Sequence, residues 1–262
     1  MPRLKVSRAV CVSHASRLWS LYGFTSPDDL VLEDLAMSMG VLVMDGPLDS
    51  AAAWLIRAGD RGIIRVSEAI REPSRRRFAI AHEIGHWMMH QAESSLLACT
   101  DEDMLARYVA NRHELEASIF AGALLMPESL FSAKVHRRRP KKAVLNELSD
   151  YFGTGLTATA LRYVEVSDDY YVLVVSENGK IKWWRASDSF EEHELWLDVR
   201  TQVPPTSLAA AFFRGESIPD KPQPMDIEDW LVELRGIHTS TVVEHAIPLP
   251  SYGQVISLLW LP

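Results

Sequence analysis

Apolar residues recur at helical spacing in two stretches of the first forty residues, roughly 6–22 and 27–39. The second opens with Ser26 as an N-cap, Pro27 in the first turn, and Asp28 and Asp29 at the positive end of the helix. Gly40 closes it. The pattern then changes to that of strands. VLVM (41–44) is followed by a Gly-Pro turn at 46–47, by AAAWLIRAG, and by the alternating RGIIRV (61–66). Helical spacing returns near Pro73–Ser74 and predicts a helix through Met89. Another is expected over DEDMLARYVANRHELEASIFAGALLMP, interrupted at Pro127.

The basic run VHRRRPKK (135–142) reads as an exposed connector. It is followed by a short helix at about 143–151, a Gly-Thr-Gly turn (153–155) and a second helix at 157–165. From about 170 the chain turns to strands: YYVLVV, the turn signal Asn178-Gly179, then KIKWWRA. Proline-rich loops (204–205, 219–224), two helix-like pieces (206–214, 226–235) and a closing strand in QVISLLWLP complete the pattern. Helices give way to strands near 166–170.

Composition narrows the functional classes. The 262 residues are 47% hydrophobic and 24% charged, which suits one large or two moderate globular domains. A net charge of -8, from 27 basic and 35 acidic residues, argues against a surface built to grip DNA or anionic lipid. Two cysteines, Cys11 and Cys99, are too few for a disulfide framework or a thiolate metal site. The N-terminus has no continuous apolar core of a signal peptide, and no apolar run approaches the roughly 18 residues of a membrane span. A cytoplasmic protein with no membrane partner is expected.

Candidate chemistry lies in FAIAHEIGHWMMH (78–90). Residues four apart share a helix face, so His82 and His86 can present ring nitrogens to one ion. Glu83 then sits beside them as a general base for a metal-bound water, which is the logic of H-E-x-x-H. Gly85 costs about 1 kcal/mol relative to alanine in a helix, which is bearable where another element packs closely there. A catalytic zinc needs a third protein ligand. Glu114 and Glu116 both offer a carboxylate, but point about 200° apart around a helix and cannot share one role. Glu114 is favoured, with Glu116 as the alternative. Ala117 and Ala121 supply a small-residue face, and Ser118 would stand beside the metal shell.

The strand GIIRV, the helix RRRFAIAHEIGHWMMH and the later ELEASIFAGALLMP together resemble the ImmA/IrrE family of metallopeptidases, over roughly residues 27–130. The resemblance implies an α+β, zincin-like core at 1–130 with one gluzincin-like Zn2+ site. His82, His86 and Glu114 would be its ligands and Glu83 its base. Ser118 departs from the Asn or Asp more usual at that position. The resemblance also implies a partner: a helix-turn-helix repressor encoded nearby, cleaved to derepress genes of a mobile element or stress response. AVLNELSDYFGTGLTATALRYVEV looks like the helix-turn-helix-like region that follows the peptidase core in such proteins, placing that region at 131–168. The acidic balance favours two packing helices over direct nucleic-acid binding. A smaller α/β region at 169–262 is then expected to sense a ligand or bind substrate. The competing readings are a non-catalytic zinc-containing regulatory binding protein, or the toxin-like member of a toxin–antitoxin pair.

Other residues receive plainer expectations. His90 continues the four-residue series but reads as the end of its helix, and His113 as a surface residue. Arg75, Arg76 and Arg77 read as a solvated face. Of Trp183 and Trp184, adjacent in a strand, one is expected in the core and the other on a ligand or partner surface. GIIRV is expected to pair an extended substrate.

Overall fold

A computed structural model describes residues 7–48, 51–90, 97–99, 112–191, 193, 197–231 and 239–262. The chain divides into two compact units, one of residues 1–130 with 149–158, the other of 131–148 with 159–262.

The first unit opens with helix α1 (Arg8–Tyr22), whose C-cap Gly23 adopts a left-handed conformation. The helix expected over 27–39 is in fact two pieces. Pro27–Asp29 forms a single 3-10 turn under a Ser26–Asp29 capping box, and α2 (Leu32–Ser38) follows. The Asp29 carboxylate accepts from the Thr25 and Ser26 backbone N–H groups and caps the turn, and the backbone leaves helical geometry at Leu30 (φ -87°, ψ 83°).

Strands β1 (Val41–Gly46), β2 (Ala53–Ala58), β3 (Arg61–Ser67) and β4 (Leu97–Cys99) form a sheet in the order β1-β3-β2-β4. β1 runs parallel to β3, and the other pairings are antiparallel. GIIRV therefore lies inside the sheet, hydrogen-bonded on both sides, and cannot pair a substrate as expected. Alternation in a strand reveals which face is buried but not whether an edge is free. The described edges are β1 and β4.

Helix α3 (Pro73–Met89) and helix α4 (Arg112–Leu125) pack together beside this sheet. Every residue from Ala79 to Trp87 is buried, so α3 is a central helix rather than a surface one. Ile80, Ile84, Phe120 and Leu124 are fully buried, each contributing about 1.5–3 kcal/mol of hydrophobic stabilisation. Gly85 lets the two helices approach. A Cβ there would come within 3.0 Å of Phe120 Cδ1 and 3.2 Å of the Ala117 Cα. Residues 100–111, in the first part of the expected 101–127 helix, lie outside the described residues, as does 232–238 in the expected 226–235 helix.

Helix α5 (Glu128–Val135) resumes one residue after Pro127. Helices α6 (Lys142–Phe152) and α7 (Leu156–Glu165) follow, joined by the expected Gly153-Thr154-Gly155 turn. Both run through the two units.

The second unit is built on β5 (Tyr171–Glu177), β6 (Lys180–Ala186), β7 (Gln223–Asp226), β8 (Thr241–Leu249) and β9 (Gln254–Trp260), in the order β6-β5-β9-β8-β7. All its pairings are antiparallel, so it is α+β and not the α/β region expected. Asn178 and Gly179 both have positive φ (51° and 76°), which a tight hairpin between β5 and β6 requires. Short helices α8 (Asp188–Glu191), α9 (Leu208–Phe213) and α10 (Ile227–Trp230) belong to the same unit. One core gathers Val174, Trp184, Phe190, Trp230 and Leu259. On the opposite face Tyr163 and Tyr171 meet edge to face at 5.5 Å. Because both faces are covered, Trp183 and Trp184 are both buried, and neither is left for a partner surface. Among the described residues, no helix is long and apolar enough to cross a membrane.

Candidate metal centre

Three polar side chains interrupt the buried stretch of α3: His82, Glu83 and His86, each with no solvent exposure. Buried polar groups are costly unless partnered, and the partners come from α4. Glu114 is also buried. Its Oε2 lies 3.0 Å from His82 Nε2 and its Oε1 3.3 Å from His86 Nε2. The two Nε2 atoms face each other at 3.1 Å. Two imidazole nitrogens and a carboxylate thus converge on one point, and the group could hold a metal ion.

The donor set fits a divalent metal such as zinc. Ligands bound tetrahedrally at 2.0–2.1 Å stand about 3.3 Å apart, close to these separations, and two imidazoles with one carboxylate suit zinc chemically. The electrostatics agree. Burial pulls the His86 pKa down, opposed by its hydrogen bond to Glu114, so the ring is held in the neutral form that ligates metals. Burial alone would push the Glu114 carboxyl up. Its hydrogen bonds to His82 and His86 outweigh this and hold it well below the usual carboxylate range.

Glu116 goes elsewhere. Its Oε2 lies 3.1 Å from His90 Nε2, and its Oε1 accepts from Arg112 Nε at 2.8 Å. The two acids of α4 therefore serve different histidines, as their divergence around the helix requires. Ser118 Oγ stands 3.3 Å from His82 Nδ1, on the side of the ring away from the centre. Arg76 forms ion pairs with Glu33 and Asp45, so this part of the arginine run is tied down rather than merely solvated.

His90 differs from its expectation. It is buried, and its Nδ1 lies 2.9 Å from His86 Nδ1. His113 is half-buried, its ring 4.4 Å from that of His90, rather than lying on the surface. The signal for His90 was present in HEIGHWMMH, where a third histidine stands one more turn along the same face.

Residues 36–163, which include all these side chains, match the family model of the IrrE N-terminal-like domain, Peptidase_M78. This domain belongs to the ImmA/IrrE family. The M78 domain thus carries its His-His-Glu group where α3 and α4 meet. No curated protein matches the chain in sequence. Among solved structures, one described as a Mycobacterium tuberculosis transcriptional regulator shares the fold, with 16% identity and a TM-score of 0.61. The alignment covers 96% of this chain and 76% of that one.

Proposed function

We propose that the chain is a zinc endopeptidase that hydrolyses a peptide bond in a helix-turn-helix repressor and so derepresses genes. The observation that carries the reading is the buried convergence of His82, His86 and Glu114 beside Glu83, within a domain of the M78 peptidases. In this reading His82, His86 and Glu114 hold the ion. Bound zinc would supply a Lewis acid that polarises the scissile carbonyl and lowers the pKa of water towards ~7. The Glu83 carboxylate accepts the proton of the attacking water and passes it to the leaving amine. Ser118 Oγ accepts from His82 Nδ1–H and keeps that ring turned towards the centre.

A second reading, a zinc-containing regulator that binds its partner without turnover, is favoured by the fold shared with a protein described as a transcriptional regulator. Glu83→Gln separates the two. The test incubates wild type and variant with zinc and the helix-turn-helix protein encoded alongside, then identifies fragments by mass spectrometry. The expected result is defined fragments from wild type, and a variant that keeps zinc and partner but cleaves about 10²–10⁴-fold more slowly. Undiminished relief of repression by the variant would sink the peptidase reading and leave the binding protein.

A further inference from the structure

We propose that Glu116 and His90 form a relay that orients His86 as a metal ligand, which makes His90 a positioning residue. The inference rests on the metal reading of the centre. His86 turns Nε2 towards His82 Nε2 (3.1 Å) and Glu114 Oε1 (3.3 Å). A ring nitrogen offered to a cation carries no proton, so neutral His86 keeps its proton on Nδ1. That N–H faces His90 Nδ1 at 2.9 Å, and His90 Nδ1 must accept. Neutral His90 then carries its own proton on Nε2 and donates it to Glu116 Oε2, 3.1 Å away. Arg112 donates to the other oxygen of Glu116 and holds that carboxylate in place.

The direction of every bond follows from the first. Reversing any one of them sets two donors or two acceptors against each other. His86 has no solvent exposure and His90 very little, so bulk water does not stand in for a lost partner. A carboxylate behind a metal-binding histidine fixes its tautomer and raises its basicity. Here a second imidazole carries that influence across one further helical turn.

His90, His113 and Glu116 are themselves grouped closely enough to hold an ion. An ion there would need His90 Nε2 without its proton. His90 Nδ1–H would then confront His86 Nδ1–H, so the outer group cannot fill while the inner one does. In the relay a proton occupies the place such an ion would take.

The test uses the full chain stripped of metal. Zn2+ is titrated in competition with a chromophoric chelator, and the visible spectrum of the Co2+ form is recorded, for wild type, His90→Phe, His90→Gln and Glu116→Gln. Wild type should bind one ion. His90→Phe should bind it about 10–100-fold more weakly with an altered Co2+ spectrum. His90→Gln, with an acceptor and a donor on one amide, should recover part of the loss. Glu116→Gln, at the rim and nearly isosteric, should weaken binding less than His90→Phe and guards against misfolding at position 90. Wild-type affinity and spectrum in both His90→Phe and Glu116→Gln would overturn the relay and leave the metal centre standing. Two ions bound together would overturn the relay as well. A wild-type chain that binds no zinc would overturn the metal reading itself.

Discussion

Both units of this protein bury glutamates, and Glu114 in one and Glu244 in the other sit among opposite kinds of partner. Glu244, in β8, has no solvent exposure and is surrounded by donors: the Leu208 and Ala209 backbone N–H groups, Trp230 Nε1 and Ser257 Oγ, at 2.9–3.3 Å. Burial pushes its carboxyl up, and those hydrogen bonds offset this only in part. Glu114, in α4, faces two imidazoles and is held well below the usual range. A carboxylate ringed by neutral donors that belong to its own sheet and to a helix end is a fastener. One that meets two ring nitrogens across a helix interface belongs to a group that could hold a metal ion. Burial alone does not tell them apart; the kind of partner does.

The largest expected effect comes from exchanging the two acids for amides. Glu114→Gln should cost more than the about 100-fold in zinc affinity expected for an outer-shell change, measured by chelator competition. Glu244→Gln should leave zinc affinity unchanged while lowering stability by about 1–3 kcal/mol in urea unfolding, because the new amide N–H₂ group meets donors. A zinc defect in Glu244→Gln would break the contrast.

A smaller effect is expected at Gly85. Adding a methyl against Phe120 and Ala117 should cost about 1–3 kcal/mol through overpacking. Because it separates α3 from α4, Gly85→Ala should also weaken zinc binding. Lost stability with full zinc affinity would show that the centre tolerates a shift of its helices.

The smallest effect is a pH slope. The folded state holds the Glu244 proton more tightly than the unfolded chain, whose carboxyl has the ordinary value of 4.5. Its contribution to stability is therefore fully present below that value and is lost as pH rises through the raised folded value, by about 1.4 kcal/mol per unit of displacement. The difference in unfolding free energy between wild type and Glu244→Gln should fall over that span. A difference that rises with pH would reverse the assignment.

The centre was largely legible in the sequence because its logic is local. His82, Glu83 and His86 lie within one turn and a half of helix, while helical geometry says only that Glu114 and Glu116 cannot share a role, and the contacts between helices show which of them meets His82 and His86. Tertiary contact decided what remained. The place of His90 is not legible within its own helix, because its partner, Glu116, lies on another. Period-two alternation in GIIRV says nothing about which strands flank it, so its place inside the sheet is not legible from the strand itself. Strand alternation sets Trp183 and Trp184 on opposite faces of their sheet but does not reveal whether either face is open, and both residues are buried. The Asn178-Gly179 hairpin was legible for the reason the centre was: two residues at positive φ need nothing from the rest of the chain.

The strand order of the second unit also bears on how the protein is made. β9 lies between β5 and β8, and Tyr171 pairs with Trp260 across nearly ninety residues. The β5–β6 hairpin thus leaves the ribosome with one flank bare, and waits for a strand that starts at Gln254. At typical rates of about 5–20 residues per second, that interval lasts several seconds. During it, the hydrophobic strand YVLVV has an open row of backbone donors and acceptors, which is when a chaperone would find it and when self-association competes with folding.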